Sequence, residues 1–490
     1  MPTENRPSVL KSKLFWVGIL YFAEGFPLGM FFDVLPVHFR QQGVNLSEIG
    51  FLSLLGLAWT LKFLWAPAVD HYRHHRRWMG VVDLGMGAVM LALAIHADFG
   101  PWTWVAIGVF TLLSATNDIA IDGYTIELLD KRELGLANGL RIGFYRVGML
   151  TAGFVLILSD YLGWAGTYLA AALLFILLAF VCQRAPQERL WGRVHGLTLR
   201  AELRGLLVHP LPFAVVLLFL LGTLWLVNRA THWSQDHEQF WFYAGTVAGL
   251  AWLVSVLRHH RNGGARALIE GPMFGTLLSM LARPYMLPVI GFILIFKLGD
   301  AAMGFMVKPF WVDAGFSASQ IGLVSVNLGL VLSIAGGVAG GWYTDRVGIF
   351  RALWVLGLMQ IVSNLGYAWA AAVLPLGADQ ALIPLQHQVL MYAASGLESF
   401  TGGLGTAAFL AFLMAIVDQR HSATEYALLS SVFALSRSLA GWAGGFGAEA
   451  MGYADYFLLT VFLGLPAFLL LPWVARMLTQ ATGKNCDNTN

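Results

Sequence analysis

The stretch Leu112–Leu129, LLSATNDIAIDGYTIELL, decides the fold because it places acids where a membrane-spanning helix should be apolar. It lies within an apolar segment that begins at Trp102. Its polar residues include Asn117, Asp118, Asp122 and Glu127. Asp118 and Asp122 are four residues apart, so they share one face of a helix. An ionised carboxylate in the hydrocarbon region costs at least ~2.5–3.5 kcal/mol, so each acid needs a partner, a wet cavity or a proton.

The composition indicates a polytopic membrane protein. The chain has 490 residues, of which 58% are hydrophobic and only 12% are charged, whereas soluble domains carry about 25% charged residues. The net charge of +2 provides no basic field for nucleic acid. Cys182 and Cys486 are too few and too far apart for a disulfide framework or a metal site, and no cofactor is expected. The apolar segment from Leu14 is expected to be a retained first helix, not a signal peptide.

About fourteen segments are long and apolar enough to span a membrane. They are 14–35, 47–69, 79–97, 102–128, 136–159, 164–183, 212–229, 239–257, 287–312, 318–341, 351–374, 388–416, 424–449 and 453–475. Lysines and arginines fall almost entirely in alternate loops, and only Arg40 and Arg229 lie on the other side. Because basic loops stay in the cytoplasm, both termini are predicted to be cytoplasmic.

An internal repeat divides the chain into two bundles. SEIGFLSLLGLAWTLKFLWAPAVDHYRHHRRW, from Ser47, resembles SQIGLVSVNLGLVLSIAGGVAGGWYTDRVGIFRAL, from Ser319. Each Ser-x-Ile-Gly start favours a helix with a hydroxyl cap. Each repeat ends in an acid followed by arginine, and these residues form a predicted cytoplasmic gate: Asp70, Arg73, Asp345 and Arg346. Parallel duplication is typical of transporters.

The repeat predicts the domain boundaries. They are a cytoplasmic tail at 1–13, a six-helix bundle at 14–184, basic connectors at 185–286 that contain two extra helices at about 212–257, a second six-helix bundle at 287–475 and a tail at 476–490.

The spans 102–128 and 136–159 form a predicted hairpin that matches acids to arginines by depth. Asp122 and Arg141 are equally far from the turn, as are Asp118 and Arg146, so each pair should meet at 1.5 Å of rise per residue. Two interpretations remain open. The pairs are permanent structural ion pairs, or one acid loses its partner during transport and takes up a proton.

Further charges lie at comparable depths in other spans. Glu24 and Lys297 each lie about ten residues into the first span of a half. They are predicted to face each other, either as a substrate or proton site or as a latch between halves. Lys308 should snorkel to the outer surface. Glu398 lies in a small-residue stretch that permits close approach of a backbone or ligand. The histidines of the HYRHHRR loop (His71, His74 and His75) lack the acid or cysteine that would complete a metal site.

The chain resembles the AmpG-type muropeptide permeases of the major facilitator superfamily. The resemblance rests on YFAEGFPLGM (21–30), GFLSLLGLAWTLKFLWAPAVDHY (50–72), NDIAIDGY (117–124), GFYRVGML (143–150), FKLGDAAMG (296–304), GLESFTGGLGTAAFLAFLM (396–414) and SATEYALLSS (422–431). It covers both halves, and the acetyl-CoA transporters of the same superfamily are a more distant match. One departure is His71 after Asp70, where the family usually has arginine.

The resemblance implies an all-α major facilitator fold with two extra helices between the bundles. It also implies proton-driven import of anhydro-muropeptides, fragments of cell-wall turnover, across the bacterial inner membrane. Motif positions of the family fall on Asp118, Asp122, Lys297, Asp300 and Glu398. In that fold the third and sixth spans of each half face lipid, and here they carry no deep charge, since Asp83 and Asp455 are placed near span ends.

The sequence therefore predicts a secondary transporter for a small glycopeptide, working as a monomer in the lipid bilayer with protons as the energy source. The predicted proton-coupling or ion-pair residues are Asp118, Asp122, Arg141, Arg146 and Glu24. The predicted substrate cavity contains Lys297, Asp300, Glu398, Arg437, Trp59 and Phe144. The alternatives are a carrier for another anionic metabolite such as acetyl-CoA, a membrane enzyme acting on lipid-linked sugars, and a sensor that does not transport.

Overall fold

The computed structural model describes residues 13–62, 65, 69, 74–96, 100–128, 134–186, 280, 283–377, 383–417 and 422–486. Helices make up the first half: α1 (Lys13–Gly29), α2 (Leu35–Gln41), α3 (Leu46–Leu55), α4 (Leu57–Leu61), α5 (His75–Ile95), α6 (Pro101–Leu128) and α7 (Leu134–Gln183). The second half contains α8 (Met286–Phe296), α9 (Leu298–Asp313), α10 (Ala318–Gln320), α11 (Gly329–Val347), α12 (Ile349–Val373), α13 (Leu385–Ile416), α14 (Ser422–Met451), α15 (Tyr453–Gly464), α16 (Pro466–Leu469) and α17 (Leu471–Cys486). Over these residues the chain consists of helices and their connecting turns, with no β-strand.

Several predicted spans are broken or joined helices. The π-helical segment Met30–Val34 links α1 to α2, and the segment Ile321–Leu328 links α10 to α11. The long α7 contains two predicted spans that turn at Gly163, whose φ of 67° suits glycine. Within the described ranges, eight helices are long and apolar enough to cross a membrane, and a ninth forms if the bent pair Tyr453–Leu469 and Leu471–Gln480 is one span. The protein is therefore a multi-pass membrane protein.

Two of the predicted spans, 212–229 and 239–257, lie outside the described residues, as do most of the connectors and of the first tail. The second predicted span, 47–69, is seen as α3 and α4, beyond which only isolated residues are described. The other predicted spans overlap observed helices. The first helical region continues to Gln41, α11 to Val347 and α17 to Cys486, so most of the segment predicted as a tail at 476–490 is helical.

The two halves dock at the end of the bundle that contains Arg40 and Asp313, here called the docking end. Arg40 donates two hydrogen bonds to Asp313, Nε to Oδ1 at 2.6 Å and Nη2 to Oδ2 at 2.7 Å. Arg40 Nη1 also donates to the carbonyl of Val44, and the hydroxyl of Tyr453 donates to Asp313 Oδ2 at 2.7 Å. A bidentate arginine–carboxylate pair fixes geometry as well as charge, so this contact holds α2 against α9.

The two Ser-x-Ile-Gly motifs make equivalent contacts between halves at the docking end. The backbone N–H of Ser47 donates to Glu449 Oε2 at 2.9 Å, and that of Ser319 donates to Asp160 Oδ2 at 2.6 Å. Each acid lies near the end of the fifth span of the opposite half. The expected hydroxyl caps at these serines are therefore wrong. The second-half helix is capped two residues earlier, by the Ser317 hydroxyl, which accepts from the N–H of Gln320. At both helix starts an acid from the other half accepts from the N–H of the motif serine, because a helix start attracts negative charge.

The glycines of the two motifs let the same helices approach closely. A methyl group at Gly50 would lie 2.8 Å from the carbonyl oxygen of Trp442 and 2.9 Å from Cα of Gly445. A methyl group at Gly322 would lie 2.7 Å from the carbonyl oxygen of Gly153. In each half, therefore, the second span packs through its motif glycine on the fifth span of the other half, as small-residue helix contacts in membranes do.

The apolar core follows the same division. One cluster combines buried residues of both halves, among them Phe31, Phe39, Phe310 and Trp311. A second cluster contains residues of the first half, such as Trp16, Tyr124 and Cys182. The docking end therefore shares its core between halves.

Candidate functional site: charged groups inside the bundle

Asp122 on α6 lies at the centre of the first charged cluster. Arg141 Nη2 is 3.1 Å from Asp122 Oδ1, and the hydroxyl of Tyr21 donates to the same oxygen at 2.8 Å. The Arg141 guanidinium also lies over the Tyr21 ring, 4.7 Å from its centroid. The predicted Asp122–Arg141 pair is confirmed. Tyr21 was missed, although it lies three residues before Glu24, about one helical turn.

The predicted Asp118–Arg146 pair is wrong. Asp118 is 5% exposed, and its partner is Lys62, whose Nζ lies 3.4 Å from Asp118 Oδ2. Equal depth fixes the height of a residue along a helix but not its direction around the axis. Five residues turn a helix by about 140° beyond one full turn, so Arg141 and Arg146 cannot both face α6.

Glu24 on α1 is buried beside these pairs without one of its own. It is 6% exposed, and Oε2 has no hydrogen-bond partner. Asp118, Asp122, Lys62 and Arg141 lie within electrostatic range of it. The expectation that Glu24 and Lys297 face each other is wrong, because Lys297 points into its own half.

Lys297 belongs to a network in the second half. It lies at the break between α8 and α9, and its ammonium donates to Asp300 Oδ2 at 3.1 Å, to Gln360 Oε1 at 2.8 Å and to the carbonyl of Gly402 at 3.3 Å. Gln360 Nε2 donates in turn to Asp300. A lysine with three acceptors is a well-satisfied buried cation. Gln360 was not anticipated, although an amide in the apolar span 351–374 is a usable signal.

Glu398 on α13 has no cation within ion-pair distance among the described residues. Its recorded contact is the Ser399 hydroxyl, which donates to Oε2 at 3.3 Å. A methyl group at Gly402 would lie 3.7 Å from Glu398 Oε1, one turn along the helix. The small-residue stretch thus leaves space beside this acid.

Lys308 joins the two halves deep in the bundle. Its ammonium is 3.4 Å from Asp33 Oδ1 and donates to the Ser325 hydroxyl at 2.7 Å. The residue is 8% exposed, so the expectation that it snorkels outward is wrong. Asp33 supplies the counter-charge that makes burial tolerable.

Arg437 on α14 also crosses between the halves. Its guanidinium lies 4.2 Å from the centroid of the Phe32 ring, a cation–π contact. Phe32 stacks with Trp59 at 6.1 Å and 30° between the planes. Trp59 Nε1 is buried and has no hydrogen-bond partner. Trp59 and Arg437 therefore share one aromatic surface. Phe144 is 40% exposed and lies against Gly18 on α1.

The predicted gate residues are only partly described. Asp345 and Arg346 are exposed at the end of α11, and the Arg346 guanidinium lies 4.0 Å from the centroid of the Trp342 ring. Asp70 and Arg73 lie outside the described residues.

Asp83 on α5 corrects the expectation that the third span carries no deep charge. It is completely buried, and Asn117 Nδ2 donates to its Oδ1 at 2.9 Å. Asn117 belongs to the stretch 112–129. That stretch therefore carries its own acids and also the amide that binds Asp83 of the neighbouring span.

Four ion pairs leave five charged groups of the interior without an oppositely charged partner. The pairs are Lys62–Asp118, Arg141–Asp122, Lys297–Asp300 and Lys308–Asp33. Within the described part of the chain, the remaining charged residues are Glu24, Asp83, Glu398, Arg146 and Arg437, of which Asp83 has the amide of Asn117 as its partner. Because unpaired charge in a membrane interior is costly, such residues mark functional positions.

A family model described as Major Facilitator Superfamily matches residues 17–383. The chain belongs to the major facilitator superfamily. It is 29% identical to the anhydromuropeptide permease of Escherichia coli strain K12 over 483 residues, covering 96% of this chain and 81% of that protein. It is also 29% identical to an uncharacterized protein of Haemophilus influenzae, covering 93% of each chain. The resemblance to the AmpG-type permeases is thus confirmed.

Solved transporter structures share the fold. A nucleoside transporter, NupG, aligns with a TM-score of 0.60 at 13% identity, covering 95% of this chain and 99% of that one. A POT peptide transporter in complex with sulfate aligns with a TM-score of 0.62 at 13% identity, covering 95% of each chain. The molecule is thus a secondary transporter of the major facilitator type and not an enzyme, in line with its family and with the Escherichia coli permease.

Proposed function

We propose that the protein imports anhydro-muropeptides together with protons across the bacterial inner membrane by alternating access. The cargo is suggested by the Escherichia coli permease, which is similar over 96% of this chain. The proposal includes fourteen spans, counted from the apolar segments of the sequence, and cytoplasmic termini, inferred from its basic loops. The docking end is then periplasmic, and the halves are closed on that side.

Glu24 is the observation that carries the proton proposal. It is a buried acid with an unpartnered oxygen, surrounded by two acids and their two cations. A proton on Glu24 removes an uncompensated charge, whereas Asp118 and Asp122 each keep a cation. When the halves rock, a change in the distance to Lys62 or Arg141 changes how strongly Glu24 holds that proton. Asp118 and Asp122 then serve to hold these cations in place.

Uptake into cells that lack their own muropeptide permease tests the cargo and the energy source together. Labelled anhydro-muropeptide should accumulate, and an uncoupler should abolish the accumulation. No uptake above background contradicts the cargo. Uptake that ignores the uncoupler contradicts the proton.

Glu24→Gln tests the residue. The amide keeps the shape but cannot cycle a proton, so accumulation should fall by at least about tenfold while exchange of internal for external substrate continues. The matched control is Glu48→Gln, since Glu48 is exposed at the docking end. Normal accumulation by Glu24→Gln would show that another residue carries the coupled proton, and Glu398→Gln would be the next variant to test.

A further inference from the structure

Arg146 and Arg437 occupy nearly equivalent positions in the two halves. Arg146 lies seven residues before Gly153, and Arg437 lies eight residues before Gly445. Gly153 and Gly445 are the fifth-span glycines that receive the two Ser-x-Ile-Gly motifs. The two arginines therefore lie one in each half, at similar distances along the fifth spans from the docking end.

The two guanidinium groups lie within electrostatic range of each other, and neither has a carboxylate within ion-pair distance among the described residues. Asp33 is also within electrostatic range of Arg437, but its carboxylate already pairs with Lys308. Two arginines that approach each other repel unless an anion lies between them. Arg437 is exposed and Arg146 is half-buried. An unpaired charge inside a membrane protein is tolerated where water reaches it, so these two side chains are expected to line a water-filled cavity between the halves.

The surroundings of Arg437 favour a ligand that combines a ring with an acid. Phe32 holds the guanidinium from one side at 4.2 Å, which leaves its N–H groups free to donate elsewhere. Trp59 lies next to Phe32 and has a buried indole N–H without an acceptor. An aromatic surface with an unused donor suits the apolar face and the hydroxyl or amide groups of a sugar.

We propose that Arg146 and Arg437 form an anion clamp that binds a carboxylate of the cargo between the two halves, while Phe32 and Trp59 support its ring. The clamp deepens the proposed function and rests on it for the identity of the cargo. A carboxylate bound to both arginines connects the halves and offsets the repulsion between the two cations. Substrate therefore favours the arrangement in which the fifth spans of both halves approach each other.

Binding of a matched ligand pair tests the clamp in the purified full-length protein. The free acid of an anhydro-muropeptide should bind about 10- to 100-fold more tightly than its carboxyl-amidated form, the range expected for charge-assisted hydrogen bonds. Arg437→Gln and Arg146→Gln should remove that preference by weakening the binding of the free acid while leaving the binding of the amidated form unchanged. Arg437→Lys should restore it only in part, because an ammonium lacks the planar fork. Arg351→Gln, at an exposed position, is the control.

Equal weakening of both ligand forms would indicate a merely structural role and would overturn the clamp. A second arm does not depend on the cargo. 4-Hydroxyphenylglyoxal, which adds to guanidinium groups, should label Arg437 and Arg146 several-fold more slowly in the presence of citrate, while glycerol at the same concentration protects neither. Arg351 should show no protection.

The two arms separate the two proposals. If the wild-type protein binds neither muropeptide form but citrate protects the two arginines, the proposed cargo is wrong and the proposed clamp stands. Protection by neither citrate nor muropeptide contradicts the clamp, whatever the cargo proves to be.

Discussion

At the docking end, Gly50 and Gly322 meet the opposite half in the same way, and Ser47 and Ser319 each receive an acid from it. In the charged interior, apart from Arg146 and Arg437, the halves share no such pattern. The first half distributes its charges over two separate pairs beside a lone Glu24, whereas the second half concentrates Lys297, Asp300 and Gln360 in one network. The repeat is kept where both halves perform the same task, which is to close against each other. It is lost where the halves divide different tasks between them.

The largest expected effect tests the difference between the interiors. Lys297→Met removes a 5% exposed cation with three acceptors and leaves Asp300 uncompensated, which should cost about 3–5 kcal/mol of unfolding free energy. Lys62→Met removes a cation whose side chain is 32% exposed and whose ammonium lies 3.4 Å from Asp118. Water can therefore replace part of the interaction that Asp118 loses. The expected cost of Lys62→Met is about 1–3 kcal/mol. Unfolding by denaturing detergent in mixed micelles measures both, and equal costs would erase the distinction between a compact network and separate pairs.

The docking glycines should rank next. Gly50→Ala and Gly322→Ala place a methyl group against backbone atoms 2.7–2.8 Å away, so each should cost about 1–3 kcal/mol through overpacking. Spin labels at Gln42 and Leu376 should show the docking end widen by a similar amount in both variants. Gly341→Ala is the matched control, because a methyl group there meets nothing within 4 Å. Widening in only one variant would show that the two contacts are not equivalent.

A double-mutant cycle tests whether the first half's confirmed pair acts as a unit. Asp122→Asn with Arg141→Gln should impair uptake less than either change alone, with a coupling of about 1 kcal/mol. The value is modest because both side chains are about a third exposed or more. Strictly additive losses would mean that Asp122 depends on Tyr21 and not on Arg141.

Sequence reasoning found the helices and the charges but could not orient all of them. Asp122 and Arg141 were paired correctly because they are equally far along the sequence from the connection between α6 and α7, and this also places them at a matched depth. Asp118 was assigned to Arg146 because depth says nothing about rotation around the helix, and its actual partner, Lys62, comes from another span.

Contacts between the halves were out of reach of a single sequence for the same kind of reason. Arg40 and Asp313 are 273 residues apart, and Lys308 and Asp33 are on different bundles. Nothing local in the chain specifies that these residues meet. The Ser-x-Ile-Gly repeat was visible, but its cause was not. The motif contains a glycine for close approach and a free N–H for an acid that only the opposite half supplies.

The smallest expected effect concerns those acids. Glu449→Gln and Asp160→Asn each remove a negative charge from the start of a second span, and each should cost about 0.3–1 kcal/mol. Because the two sites lie in different inter-half contacts, their costs should add in the double variant. Unfolding in mixed micelles at low and high salt measures this, since screening should reduce both costs together. A cost confined to one acid would show that the acid contacts at Ser47 and Ser319 contribute unequally to closure. The glycines would then be the part of the repeat that does the same task in both halves.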